Sequence, residues 1–142
     1  MKIKLSSSDI GYISLFEKIT GAVTIDCIAD AYKNKIFFVV KAGDMGLAIG
    51  KKGKHIQQVS RSLGKKIGII EYSKNPREFI KNVFHPLRVT DVHINEGGDK
   101  KVAKVGIDER DKISLFSRGN HNLSMAKLLS MRYHNISELT IV

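Results

Sequence analysis

Gly46-Leu47-Ala48-Ile49-Gly50-Lys51-Lys52-Gly53-Lys54-His55-Ile56 is the stretch on which the fold turns. Two glycines bracket a pair of lysines, and apolar residues stand on either side. Glycine has no Cβ, so positive φ is accessible and another backbone can approach closely. Gly50 reads as the end of one helix and Gly53 as the start of the next, with Ile49 and Ile56 as buried anchors of the loop. Unpaired N–H groups at a helix start favour an anion. Lys51, Lys52 and Lys54 add positive charge at the same place. That combination suits a chain of phosphates better than one small ligand. A nucleotide-hydrolysing phosphate loop requires Gly, four residues, then Gly-Lys-Ser/Thr. Met45 or Ala48 stands at the first glycine position, and Lys52 or His55 stands at the hydroxyl position, so both alignments fail.

Working outward, Asp44 is placed to cap a short helix over Met45 to Ile49, and Ile56, Val59 and Leu63 mark one face of the helix after the loop. Upstream, Ile10, Ile13 and Phe16 recur at helical spacing. Val23, Ile25 and Cys27 alternate as in a strand, and Ile36 to Val40 is an apolar run suited to a strand covered on both faces. Ile67 to Tyr72 is a third strand. The order is helix, strand, strand, helix, loop, helix, strand. Ser73-Lys74-Asn75-Pro76 reads as a linker, and the order then recurs. Helix Glu78–Phe84 is followed by strands Val89–Ile94 and Val102–Ile107. A short helix, Asp111–Phe116, precedes a second loop, and a long helix marked by Leu123, Ala126, Leu129 and Tyr133 leads to a last strand, Leu139–Val142. A shift of 67 residues lays Asp44 over Asp111, Ile49 over Phe116, Gly50 over Ser117, Gly53 over Asn120 and Ile56 over Leu123. The fold class expected is α+β, a two-layer α/β arrangement. It consists of two copies of a unit with a three-stranded sheet and helices on one face, over residues 1–75 and 76–142. A single α+β domain with coincidental periodicity is the alternative.

Composition bounds the function. The 142 residues carry a net charge of +10. Residues 1–75 hold thirteen Lys/Arg against six Asp/Glu, and residues 76–142 hold eleven against eight. No acid occurs between Met45 and Ile70, where Lys51, Lys52, Lys54, Arg61, Lys65 and Lys66 lie. Such a one-signed stretch attracts a polyanion, although a solvated basic face is the plain alternative. No apolar run is long enough to span a bilayer. The start of the chain is too polar for a signal peptide, and Cys27 has no companion for a disulfide, so a cytoplasmic location is expected. His55, His85, His93, His121 and His134 form no ligand-spaced pair, so no metal is expected. Asp108, Glu109 and Asp111 could pass for acid–base groups, but acids at a helix start are more often dipole partners. Gly-x-Ser-x-Gly does not occur. Trp is absent and no aromatic-rich strand motif appears, so base stacking is expected to be minor. Binding without catalysis, and without a cofactor, is the expectation.

On these residues the chain resembles the KH family in its type II form, whose unit runs α-β-β-α-α-β. The likeness covers nearly the whole chain as two tandem units. Gly43-Asp44-Met45-Gly46-Leu47-Ala48-Ile49-Gly50-Lys51-Lys52-Gly53 is similar to the first KH unit of archaeal NusA-like transcription factors. The resemblance implies clamping of about four nucleotides of single-stranded RNA by the loop. It also implies a role in transcription termination or antitermination with RNA polymerase as partner. Carried onto this sequence, the RNA-binding set is Ile49, Gly50, Lys51, Lys52, Gly53, Lys54 and His55. With base stacking minor, an aliphatic groove of Ile49, Ile56 and Ile69 is the candidate surface for bases, and core packing of the same three residues is the competing and safer assignment. The second loop, Ser117-Arg118-Gly119-Asn120, departs from the pattern at both outer positions. Asn120 tolerates left-handed geometry, whereas Ser117 puts a side chain at the close-approach point. Arg118, Gly119 and His121 are its candidate contacts, and a scaffold that only supports its neighbour is the competing reading. For the whole chain, the rival functions are a KH module in ribosome assembly or RNA processing, and a protein-interaction scaffold.

Overall fold

The computed structural model describes residues 7–30, 34–117 and 121–142. They fall into two compact units that divide between Ser73 and Lys74. The first comprises α1 (Ser7–Thr20), β1 (Thr24–Asp30), β2 (Lys35–Val40), α2 (Met45–Ile49), a 3-10 turn (Lys51–Gly53), α3 (Lys54–Leu63) and β3 (Lys66–Glu71). The second comprises α4 (Pro76–Phe84), β4 (Val89–Asn95), β5 (Val102–Ile107), α5 (Glu109–Ser117), α6 (His121–His134) and β6 (Glu138–Ile141).

Each unit has one three-stranded sheet, ordered β1-β2-β3 in the first and β4-β5-β6 in the second. The pairings are alike: β1–β2 and β4–β5 are antiparallel, while β2–β3 and β5–β6 are parallel. A parallel pair needs a long crossover, and in each unit two helices supply it. Even the irregularities repeat, with a register shift at Thr24/Asp26 in β1 and another at Val89/Asp91 in β4.

The alternation along β2 explains its central place. Ile36, Phe38 and Val40 join Phe16, Ala22, Cys27, Ala48 and Val59 in the first core, and Phe38 stacks on Phe16 with ring centroids 4.2 Å apart. Phe37 and Val39, on the other face, are buried too, so the apolar run is covered on both sides. Removing a ring such as Phe16 from this core costs about 3–5 kcal/mol. In the second unit α4 packs along α6, where Phe79 meets Tyr133 edge-on at 5.9 Å.

Asn75 and Pro76, part of the linker-like stretch, start α4. The Asn75 side chain accepts from the Arg77 and Glu78 N–H groups, and Pro76 takes the first helical position, where no N–H is needed. α5 begins at Glu109, two residues before the expected start, because Asp108 provides the cap. Its carboxylate accepts from the Arg110 N–H at 3.0 Å and its carbonyl from the Asp111 and Lys112 N–H groups.

Candidate nucleic-acid interface

The loop is built by backbone torsions that only certain residues tolerate. α2 closes with the Gly50 N–H donating to the Gly46 carbonyl at 2.9 Å. Gly50 then adopts φ 75°, ψ 170°, a region essentially reserved for glycine. A Cβ there would lie 2.6 Å from Cγ of His55 and 2.9 Å from its backbone N. Glycine is therefore required twice over, by torsion and by space. Lys52 is left-handed at φ 56°, ψ 27° and Gly53 at φ 76°, ψ 17°. At Gly53 an added Cβ would meet only Cγ2 of Ile56, at 3.7 Å. The demand at Gly53 is torsional alone.

His55 fastens this turn. Its Nδ1 lies 2.7 Å from the Leu47 carbonyl oxygen. A carbonyl only accepts, so Nδ1 carries the proton and donates. Leu47 is in the last turn of α2, where carbonyls lack partners within the helix. The imidazole thus closes off α2 from the far side of the loop while lying over Gly50. Sequence placed His55 among RNA contacts, and the structure gives it this internal bond as well. The histidine's position five residues after Gly50 was visible in the sequence, but nothing there showed which atom it would meet.

Two carboxylates hold the frame behind the loop. Asp44 makes no side-chain capping bond to α2, contrary to the sequence expectation. Its Oδ2 accepts from the Val23 N–H at 2.9 Å, tying the α2 entry to the lead-in of β1. Glu71 at the end of β3 accepts from the Gly43 N–H at 2.8 Å. The acid was correctly placed next to the helix start, but a neighbouring chain segment won its carboxylate.

Of the sequence-predicted residues, Ile49, Gly50, Lys51, Lys52, Gly53, Lys54 and His55 form one continuous turn between α2 and α3. Lys51, Lys52 and Lys54 are exposed, and their side chains make no hydrogen bond or ion pair among the described residues. The amides are less free than expected: Gly53 donates to the Gly50 carbonyl at 3.1 Å, and Lys54 donates to that of Lys51. Ile49 is not a buried anchor, being 38% exposed, while Ala48 is fully buried. Adjacent helical residues point about 100° apart, so a helix that buries Ala48 turns Ile49 outward. Leu47, 50% exposed, is an apolar residue beside the loop that the sequence reading missed. Ile56 and Ile69 are half-buried, and Ile69 packs against the core. Arg118 and Gly119 lie outside the described residues. His121 opens α6, and its side chain is likewise outside them.

No described helix is long and apolar enough to cross a membrane. The KH domain family matches residues 11–105. A probable transcription termination protein NusA from Methanococcus vannielii is 39% identical over 142 residues, all of this chain and 81% of the relative. The protein of the same description from Methanocaldococcus jannaschii is 33% identical over 99% of this chain and 76% of its own length. The crystal structure of APE1850 superimposes with a TM-score of 0.80 at 29% identity, over 97% of this chain and 100% of that one. With the repeated α-β-β-α-α-β order and the Gly-Lys-Lys-Gly turn already established, the chain belongs to the KH-domain family and is a NusA-like protein made of two KH-like units.

Proposed function

We infer that the protein binds single-stranded RNA through the Gly50–Gly53 turn and acts in transcription termination or antitermination with RNA polymerase. One observation carries the RNA reading. The turn presents three lysines unpaired among the described residues, around a backbone stripped of side chains at Gly50 and Gly53. A sugar-phosphate strand can lie against such a surface, with lysine ammonium groups meeting its phosphates. The exposed Ile49 and Leu47 offer apolar surface beside it for bases. The activity proposed is binding. The transcriptional role is supported by the relatives described as transcription termination proteins.

The test is a titration of the full chain with short single-stranded RNA. A charge-assisted contact is worth about 1.5–3 kcal/mol, so Lys51→Asp combined with Lys52→Asp should lower affinity at least roughly a hundredfold. Both side chains are exposed, so the thermal midpoint should stay close to that of the parent. Undiminished binding by the double variant would remove the turn from the interface. Co-purification with RNA polymerase, and read-through at a terminator in a purified transcription reaction with and without the protein, test the second half of the reading.

A further inference from the structure

We propose that the outward face of α3, formed by Lys54, Gln58 and Arg61 and continued by Lys65, is a second contact surface. It would be a phosphate track for the same RNA strand beyond the nucleotides held at the turn. The inference rests on the turn reading and extends it along the helix.

The spacing comes first. Residues at i, i+4 and i+7 fall on one stripe of a helix, and Lys65 follows just beyond the end of α3, after the left-handed Gly64. Val59 is buried and Leu63 packs on the core, which places Lys54, Gln58 and Arg61 on the opposite side, where all three are exposed. The stripe starts at the turn itself, because α3 begins at Lys54 directly after Gly53. From Lys54 to Arg61 the helix rises about 10 Å, enough to follow a strand leaving the turn.

The second observation is where the negative charge goes. Four of the six acids of the first unit hold backbone N–H groups elsewhere. Glu17 accepts from the Thr24 N–H, Asp44 from the Val23 N–H and Glu71 from the Gly43 N–H, while Asp26 is buried and accepts from the Cys27 N–H. None of these lies on α3, and no acid occurs from Met45 to Ile70. Arg61 makes no hydrogen bond or ion pair among the described residues. Lys65 bonds the neutral amide oxygen of Asn34 at 2.9 Å and so keeps its charge uncompensated. A row of cations left without acids, beginning at a backbone turn open to a strand, fits a polyanion that continues past the turn.

The experiment measures binding of the full chain to single-stranded RNA of four and of twelve nucleotides, for the parent, Arg61→Glu and Gln58→Glu. The twelve-nucleotide strand should bind each variant about tenfold more weakly than the parent, and for Arg61→Glu the salt slope should be shallower by about 0.7 for the phosphate that is no longer neutralised. The four-nucleotide strand should bind within about twofold of the parent, since the turn alone accounts for it. Unchanged affinity of both variants for the longer strand overturns the track and leaves the turn reading standing. Equal losses on both lengths also overturn it, because the stripe would then be part of the turn's own clamp. A parent protein that binds neither length overturns the turn reading and the track with it.

Discussion

In the first unit the short helix α2 stops at Ile49, and Gly50 leaves it at φ 75°, ψ 170°. In the second, α5 runs on through Ser117, the residue at the same place in the repeat. The frames around these two points are the same. Asp44 ties the Val23 N–H, and Asp111, its counterpart, ties the Arg88 N–H at 2.8 Å. Sheet order, strand directions and register shifts also correspond. What differs is the short helix and the residue at its matched position: α2 has five residues and ends before Gly50, whereas α5 has nine, holds Asp111 within it and includes Ser117. With glycine, the chain turns sharply and leaves bare backbone beside three lysines; with serine, it stays helical to that point. Charge follows the same division. The second unit pairs Lys81 with Glu78, Lys101 with Glu96 and Lys112 with Glu109, whereas Lys51, Lys52 and Lys54 are unpaired among the described residues. Exposed pairs of this kind add little stability, but they cancel charge that would otherwise face a polyanion. Among the described residues, the first unit's turn thus sets unpaired lysines beside Gly50 and Gly53.

Separating the two units experimentally sharpens this contrast, and the largest expected effect gives the means. Cys27 is the chain's single cysteine, in β1 of the first core and 4% exposed. Burial, then the charges of Asp9 and Asp26, push its thiol up to about 12 from 9.0. The thiolate is the reactive form, so at pH 8 folding should slow labelling by a maleimide or disulfide reagent about a thousandfold or more. Labelling across a denaturant series then reports the first unit alone, while far-ultraviolet circular dichroism reports both. Fast labelling in native buffer would contradict the buried, charge-disfavoured thiol.

The same probe serves the next variant. Gly50→Ala should cost about 2–4 kcal/mol, combining an unfavourable torsion with the clash against His55. Ser117→Ala, at a helical position, should be neutral or slightly stabilising. Equal costs would mean that the two exits are not built differently.

The order of elements was legible because helical and strand periodicities alternate cleanly here. Ile36 to Val40, read as a strand covered on both faces, is buried throughout. The turn was legible because glycine restricts what it can be doing. The fine assignments depended on contacts that spacing cannot encode. Asp44 looked like a cap, and only the folded chain brings the Val23 N–H to its carboxylate. Ile49 looked like an anchor because it is apolar, yet a five-residue helix has room to bury only Ala48. Asp108 looked like one member of an acidic cluster. In the fold, its carboxyl is held below the usual range by hydrogen bonds from the Arg110 backbone and guanidinium, which makes it a helix cap.

His55 tests how far the turn's shape is maintained from outside the two glycines. His55→Ala leaves the Leu47 carbonyl without its donor and should cost about 1–2 kcal/mol of stability. RNA affinity should fall as well. His55→Asn keeps a side-chain N–H near the Nδ1 position and should recover most of the stability. If alanine and asparagine behave alike, the bond to Leu47 is not what holds the turn.

The smallest effect expected is at Gly53, where the comparison with the second unit is most direct. Asn120 stands at the matching place, and asparagine is the residue that best tolerates left-handed backbone after glycine. Gly53 needs only that torsion, since the nearest atom to an added Cβ is 3.7 Å away. Gly53→Asn should therefore cost no more than about 1 kcal/mol, with RNA affinity within a few-fold of the parent. The two glycines would then be unequal. Gly50 could not be replaced because His55 fills the space its side chain would need, whereas Gly53 could be. The non-glycine residue at the second unit's helix exit, and not the asparagine three positions on, would then be what separates the two loops. A loss at Gly53→Asn as large as that at Gly50→Ala would reverse the assignment and make the αL position the decisive one.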